Sequence, residues 1–344
     1  MPQQTKRIYR ISLVTALALA IAYGMQIPMP FIAPLFAFLL ALKSEQAVGL
    51  KGLVGLLLVI TITLGSGLLL IGFLDSYPLT GLLLVALGIY VSAHMLVNLG
   101  KALVGTFFMA GFTMISSVGT LSFAVALTIV DAILMAVLIA IVCQWLVFPF
   151  FTIPAAAQPS ENQTPPPTQA EQENQSGNVA LQTTAIVFPV YLLALTNPTL
   201  YLPLIMKSVT LGQQTSETDL QSTGRELLLS TLAGGGLAVV MWGVLKIHPN
   251  LWIFFLITLL ICIWSCRRLF LMAKTRFSPS FWQNAVVTLF ILIGPAVQDT
   301  LNGKDPYKAF CVRMSLFVCL SLYAWFAGRL IQRMRQRRTR LAVT

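Results

Sequence analysis

Long apolar runs recur along this chain, and they constrain its fold more than any other feature. Hydrophobic residues make up 57% of the 344 residues and charged residues only 10%. Apolar runs of about 20 residues are long enough to cross the hydrocarbon core of a bilayer as helices. The sequence therefore predicts an all-α integral membrane protein. Candidate spans occupy residues 11–27, 28–42, 52–74, 79–98, 102–118, 121–149, 184–197, 198–212, 227–245, 250–266, 282–298 and 308–328.

Two pairs of these segments, 11–42 and 184–212, are interrupted by prolines. The second member of each pair is short for a full crossing of the hydrocarbon core. Each pair therefore forms either two short spans or a re-entrant hairpin. With both alternatives open, the prediction is 8–12 spans in total.

The two halves of the sequence share a pattern of interruptions. Pro28 and Pro34 in the first half correspond to Pro198 and Pro203 in the second half, at nearly the same separation. Repeated, interrupted segments are typical of transporters that are built from internal repeats. We therefore expect two parallel repeats of about six transmembrane helices each, related by an axis along the membrane normal.

The composition changes between the two halves. Residues 152–182 are rich in Pro and Gln and contain no Lys or Arg, which is typical of a disordered, solvated linker. The predicted organisation is a first membrane repeat over residues 1–151, a disordered cytoplasmic linker over 152–182, a second membrane repeat over 183–330 and a basic cytoplasmic tail over 331–344.

The 22 Lys and Arg residues, which give a net charge of +11, are distributed unevenly between the predicted connections. With a cytoplasmic N-terminus, all but four fall on the cytoplasmic side; the exceptions are Lys246, Lys304, Lys308 and Arg313. This asymmetry follows the positive-inside rule and predicts that both termini are cytoplasmic. We expect the basic tail to contact membrane lipid and not nucleic acid.

The sequence lacks the signals of several chemical classes. No phosphate-binding GxxxxGK[ST] motif is present, and no nucleophile–base pair is visible, so we do not expect an enzyme. His94 and His248 have no second metal ligand at a suitable spacing, and no cofactor is predicted. Gly65-Ser66-Gly67 and Gly234-Gly235-Gly236 lie within apolar runs, where small residues favour close helix packing.

Two ionisable residues lie inside apolar runs and are candidate functional groups, because charges in a membrane are costly. Asp131 is either a proton carrier or a neutral structural acid. Arg313 lies about two turns inside its run and binds either Asp299, across a helical hairpin, or an anionic substrate. A turn at Gly303 and Pro306 places these charges near the tip of that hairpin.

Interrupted segments are also the best sequence indicator of a transporter's binding region. We therefore expect Pro28 and Phe31 in the first half, and Pro198 and Tyr201 in the second half, to border the substrate path. Phe31 and Tyr201 would offer aromatic surface to a substrate.

Three stretches resemble the fusaric acid resistance (FUSC-like), or aromatic acid exporter, superfamily. They are Arg10–Leu42, Arg225–Leu245 and Ile291–Trp325, and in Arg225–Leu245 an arginine opens a Gly-rich helix. The resemblance implies a bacterial inner-membrane efflux protein for aromatic carboxylic acids. It also implies a periplasmic membrane-fusion adaptor of the haemolysin-D type as a partner. The chain departs from larger members by lacking a large cytoplasmic domain between its halves.

The expected function is export of small aromatic or amphipathic organic acids, driven by the proton motive force. A passive organic-anion channel and a non-transporting assembly subunit are the alternatives, and a homo-oligomer is left open. Asp131 favours the transporter over the channel, because a channel needs no titrating acid. A neighbouring adaptor gene would favour the transporter over the assembly subunit.

Overall fold

The structure is a computed structural model, and the chain that it describes is α-helical with short connections. It describes all residues except 1–2, 45, 99–101, 152–168, 218–219, 302–305 and 344. The α-helices are α1 (Gln3–Gly24), α2 (Ile32–Lys43), α3 (Leu50–Ser76), α4 (Pro78–Asn98), α5 (Ala102–Ala110), α6 (Ser116–Gly119), α7 (Phe123–Val147), α8 (Gln169–Thr196), α9 (Pro198–Glu217), α10 (Leu220–Ile247), α11 (Leu251–Leu269), α12 (Pro279–Leu301) and α13 (Pro306–Val343). A π-helical turn, Gly111–Ile115, joins α5 to α6, and a 3-10 turn, Phe148–Phe151, follows α7.

Nine helical segments in the described part of the chain are long and apolar enough to cross a membrane. This number lies within the predicted range of 8–12 spans, and the described residues contain no strand. Two further apolar segments, Ile32–Lys43 and Val104–Gly119, are shorter. The prediction of an all-α, multi-pass membrane protein is therefore confirmed.

Proline determines where several helices begin. The first residue of four helices is a proline, at Pro78, Pro198, Pro279 and Pro306. Proline is favoured there because the first N–H groups of a helix have no intrahelical acceptor. α11 begins differently: the side chain of Asn250 accepts a hydrogen bond from the backbone nitrogen of Trp252 at 3.1 Å. This is an N-cap, and it satisfies one of the exposed donors.

The loop over residues 25–31 separates α1 from α2. Gln26 and Met29, on either side of Pro28, have positive φ angles of 51° and 52°. This left-handed conformation is unfavourable for residues with a Cβ atom, and such strain is often found near functional sites. Because of this loop, α2 begins at Ile32, later than the sequence predicted.

α8 begins earlier than predicted. The composition predicts a disordered linker over residues 152–182, but residues 169–182 form the start of α8. The physical reason is that this stretch is rich in Gln, Glu and Ala, which are good helix formers, and contains no proline. Gln182 is buried, so this end of the predicted linker belongs to the packed fold. Residues 152–168 lie outside the described part of the chain.

The chain forms two compact units, each assembled from three separate stretches. Unit 1 comprises Met1–Thr61, Thr128–Pro166 and Leu229–Met314. Unit 2 comprises Ile62–Leu127, Pro167–Leu228 and Ser315–Thr344. The boundaries between units fall within α3, α7, α10 and α13. Each unit therefore contains helices from both halves of the sequence.

In unit 1, α1 packs along α11, and α2 packs against α1 and α12. The rings of Tyr23 and Phe254 meet edge to face at 4.9 Å, whereas the guanidinium of Arg7 lies 4.9 Å from the ring centroid of Phe270. α1 and α11 are therefore antiparallel. α12 packs on α11. A methyl group on Gly234 of α10 would meet the backbone of α12, as the packing prediction for the second glycine cluster requires.

In unit 2, α8 packs along α4 and α9. α5, the π-helical turn and α6 form one continuous segment, and α9 contacts all three parts. Gly67 of α3 lies so close to Gly111 that a methyl group on Gly67 would clash with the Gly111 carbonyl. The packing prediction is thus confirmed for Gly67, whereas Gly65 has open space around it.

Candidate functional site

Arg313 and Asp299 form an ion pair in unit 1. Nη1 of Arg313 lies 2.6 Å from Oδ2 of Asp299, and the two side chains are 11% and 13% exposed. Arg313 is near the start of α13 and Asp299 is in the last turn of α12, so the pair joins the two arms of the predicted hairpin. Among the described residues, Nε of Arg313 has no hydrogen-bond partner. The guanidinium therefore retains a donor that a second anion could use.

A cation and two aromatic rings lie near this pair, at the start of α13. Nζ of Lys246 donates a hydrogen bond to the hydroxyl of Tyr307 at 3.2 Å. The same nitrogen lies 5.1 Å from the ring centroid of Tyr307 and 5.6 Å from that of Trp242. The two rings meet edge to face at 4.6 Å. This end of unit 1 therefore combines positive charge with ring surface, which an aromatic carboxylate requires.

Phe31 lies at the helix that carries Asp299. Its ring packs on Gly294 of α12 so closely that a methyl group on Gly294 would clash with it. Phe31 is buried, whereas Pro28 is exposed. The structure thus brings Phe31, Asp299 and Arg313 into one unit. The tip of the hairpin, residues 302–305, which includes the predicted turn glycine, lies outside the described residues.

Pro198 and Tyr201 belong to unit 2 and are not part of this cluster in unit 1. Pro198 is buried as the first residue of α9, and Tyr201 is half-buried. The side chain of Asn197 caps this helix by accepting a hydrogen bond from the backbone nitrogen of Leu200 at 3.3 Å. A role for these residues along a substrate path stays a prediction.

Asp131 is exposed on α7 and does not point into the fold. It lies on an exposed apolar stripe with Met135, Val142 and Leu146, while Ala132 beside it is buried. The sequence placed Asp131 inside an apolar span but could not indicate its face, because α7 is apolar on all sides. The interior environment that a buried proton carrier needs is not present, and the coupling role of Asp131 stays a prediction.

Unit 2 buries a lysine that the sequence analysis treated only as a topological charge. Lys207 on α9 is 0% exposed. α9 packs against α6 and α8, in which the hydroxyls of Ser116 and Tyr191 lie 3.3 Å apart. It also packs against the π-helical turn, a feature that is frequent at functional sites. A lysine inside a short, proline-interrupted apolar segment is the sequence signal that could have identified it.

Unit 1 buries an arginine that was also treated as a topological charge. Arg10 on α1 is 1% exposed. Its Nη2 donates a hydrogen bond to the carbonyl oxygen of Ser44 at 3.1 Å, and its Cζ lies 4.1 Å from the ring centroid of Phe148. Nη2 of Arg7, one turn earlier, donates to the carbonyl oxygen of Leu42 at 3.3 Å. The two arginines therefore satisfy carbonyl groups at the C-terminal end of α2, the negative end of its dipole.

The ionisable groups of the described chain are suited to binding anions. The five cysteines are free thiols, and no group of three or more His, Cys, Asp and Glu side chains occurs among the described residues. The buried or nearly buried cations are Arg10, Lys207 and Arg313, and each lies in or beside an apolar helix.

One comparison with known proteins identifies a related family. Residues 7–147 match the family described as "Protein of unknown function (DUF2955)". The match begins within α1 and ends at the last residue of α7, so it covers most of the first half and less than half of the chain. No curated protein and no solved structure matches the chain. Over its first half, the chain is therefore similar to the DUF2955 family.

Proposed function

We propose that this protein exports small aromatic or amphipathic organic acids across a membrane. The observation that carries the proposal is the Arg313–Asp299 pair, in which a nearly buried guanidinium keeps one donor without a partner among the described residues. A carboxylate could compete with Asp299 for this guanidinium, because both offer the same two-oxygen geometry. The neighbouring rings of Trp242 and Tyr307 favour an aromatic substrate.

The two-repeat organisation belongs to this proposal. Its support is a reciprocal pattern of helix contacts: α1 packs on α2 and α11, whereas α8 packs on α9 and α4. If α8–α13 repeat the six segments that begin with α1, each contact in one unit has its counterpart in the other. The sequences TMISSVG (113–119) and TLFILIG (288–294) also share Thr and Gly at the same spacing. The repeats would then exchange helices, so that each unit is completed by both.

Orientation, location and partners are further parts of the proposal. The uneven distribution of Lys and Arg supports cytoplasmic termini, and the resemblance to FUSC-like proteins supports a bacterial inner membrane. The same resemblance supports a periplasmic adaptor of the haemolysin-D type. Proton coupling through Asp131 is included, with the hypothesis that this exposed acid acts at a surface that the single chain does not cover.

A non-transporting assembly subunit is the second candidate, and the exposure of Asp131 is the observation that favours it. Ionisable residues in membrane spans almost always pair with another group. An acid on an exposed apolar stripe therefore fits a contact with a partner protein or a second copy of the chain. A passive anion channel, in contrast, would use the cations of the protein without Asp131.

Substrate accumulation tests the proposal directly. Deletion and overexpressing cells would be loaded with a panel of aromatic carboxylates, together with the corresponding neutral amides. We expect overexpression to lower the accumulated amount of at least one carboxylate and not of its amide, and collapse of the proton gradient to abolish this difference. Equal accumulation in both strains for every acid in the panel would contradict the exporter and favour the assembly subunit.

A further inference from the structure

Two basic sites lie at opposite ends of unit 1. α1 is antiparallel to α11, and Arg10 and Arg7 lie at the end where α11 finishes, near Phe270. α12 follows from that same end, packs on α11 and carries Asp299 in its last turn. A helix of this length spans about 30 Å at 1.5 Å per residue. The buried Arg10 is therefore separated from the Arg313–Asp299 pair by roughly the thickness of a membrane core.

A buried amide without a partner lies beside Arg10. Gln144 on α7 is fully buried, and neither its nitrogen nor its oxygen has a hydrogen-bond partner among the described residues. Gln144 and Phe148 are four residues apart at the end of α7, which places them on the same side of the helix. The guanidinium of Arg10 stacks on the ring of Phe148. Gln144 therefore belongs to the same interior region as Arg10.

A second unsatisfied donor lies in this region. Nε of Arg7 is buried and has no partner among the described residues. Arg7 and Arg10 are three residues apart on α1, so their side chains lie on the same face. Buried polar groups are nearly always hydrogen-bonded, and each exception calls for an explanation such as a water molecule or an ion. Here the donors converge around positive charge, and the group that fits them is an anion.

We propose that Arg10, Arg7 and Gln144 form a second anion-binding site, which holds the carboxylate of the exported acid at the end of unit 1 opposite Arg313. The ring of Phe148 positions the guanidinium of Arg10 by stacking. The amide of Gln144 donates to one carboxylate oxygen while the guanidinium groups bind the other. This inference rests on the proposed export of organic acids, and it gives that export a second site at the far end of the same unit.

The structural alternative is that Arg7 and Arg10 only cap α2 and that a water molecule satisfies Gln144. The substitution Gln144→Leu distinguishes the two explanations. Leucine keeps much of the side-chain volume and removes an unsatisfied polar group, so the folded protein should keep or raise its Tm. A site for an anion would lose a hydrogen bond to a charged ligand. Benzoate binding should then weaken by about tenfold.

The experiment measures benzoate binding to the purified full-length protein by calorimetry, together with the Tm. Benzamide, a neutral analogue of similar shape, reports binding that does not depend on the carboxylate. Gln182→Leu is the matched control variant, because Gln182 is a buried glutamine in unit 2 whose nitrogen also lacks a partner among the described residues. We expect weaker benzoate binding in Gln144→Leu, with Gln182→Leu and the wild type alike.

The outcomes separate this inference from the proposed function. Unchanged benzoate affinity in Gln144→Leu, alongside normal binding and export by the wild type, would overturn the second site and leave the exporter intact. Weakening by Arg10→Lys alone, with no effect of Gln144→Leu, would also overturn the three-residue site. If the wild type neither binds nor exports any carboxylate of the panel, the proposed function fails, and this inference fails with it.

Discussion

Arg313 and Asp299 are joined by a 2.6 Å contact between Nη1 and Oδ2, and the contact links the end of α12 to the start of α13. Breaking a buried ion pair by removing one partner costs about 3–5 kcal/mol, because the other charge is stranded. The pair therefore fixes the geometry of the hairpin. It also leaves Nε of Arg313 buried and without a partner among the described residues, which a purely structural pair would not require.

Arg313→Lys should separate structure from binding at this pair. Lysine keeps the charge beside Asp299, so we expect normal abundance and a small change in Tm. It cannot bind a carboxylate through two parallel N–H groups, so export should fall by about tenfold. Arg313→Ala and Asp299→Ala are the controls for stability and should each lower abundance. If the double change to Ala restores both abundance and full export, Arg313 is a structural residue only.

Asp131→Asn tests proton coupling. The exposed position of Asp131 on α7 predicts that the amide is tolerated and that abundance in the membrane is unchanged. If Asp131 carries the proton, uphill export should be lost while downhill movement of substrate continues. Transport would be measured in everted vesicles with an imposed pH gradient, with Asp75→Asn as the control for an exposed acid elsewhere. Normal gradient-driven export by Asp131→Asn would remove Asp131 from the mechanism.

Lys207→Met tests the buried lysine of unit 2. Methionine fills a similar volume without a charge. If Lys207 supports only the fold, abundance and Tm should fall because the groups around it lose their partner. We expect instead that Tm is nearly unchanged and that export falls by at least about tenfold, since buried membrane charges are usually functional. Lys43→Met, at the exposed end of α2, is the control and should export normally.

Gly234 and Gly236 provide a matched test of helix packing. A methyl group on Gly234 would meet the backbone oxygen of Ala285 and the side chain of Thr288, whereas nothing lies within 4 Å of one on Gly236. We expect Gly234→Ala to lower the free energy of unfolding by about 1–3 kcal/mol. Gly236→Ala should be neutral or slightly stabilising, because Ala favours helix. Equal Tm values for the two variants would show that α10 and α12 do not pack as described.

Separate expression of the two halves tests the helix exchange. The chain would be divided within residues 152–168. Neither half contains a complete unit, because α1 lacks α11 and α4 lacks α8. We expect each half alone to be degraded, and co-expression to restore both abundance and export. A first half that is stable and folded by itself would contradict the exchange.

The sequence was sufficient for features that depend on composition and local chemistry. It predicted a helical membrane protein from the length of its apolar runs, and it predicted that Arg313 faces Asp299 across a hairpin. The pair was predictable because both charges lie inside apolar runs next to one turn, where each needs a partner. The proline at the start of α9 also indicated a helix boundary correctly.

Features that depend on which helices meet were not predictable in this way. Arg10 and Lys207 look like ordinary topological charges, and only tertiary packing reveals that they are buried. Asp131 looks like an interior acid, but a helix that is apolar on all sides gives no indication of its inward face. Residues 169–182 have a linker-like composition, and burial of Gln182 gives them a packed partner that composition does not encode.

The pairing of α1 with α11 also has a consequence for biosynthesis. About 200 residues separate the two helices, and a ribosome needs roughly 10–40 s to add them at ~5–20 residues per second. During that time α1, with its arginines, resides in the membrane before its main partner has been made. Survival of the nascent chain over this interval depends on whatever shields those arginines from lipid, so an insertase or chaperone that holds early helices should determine the yield of this protein.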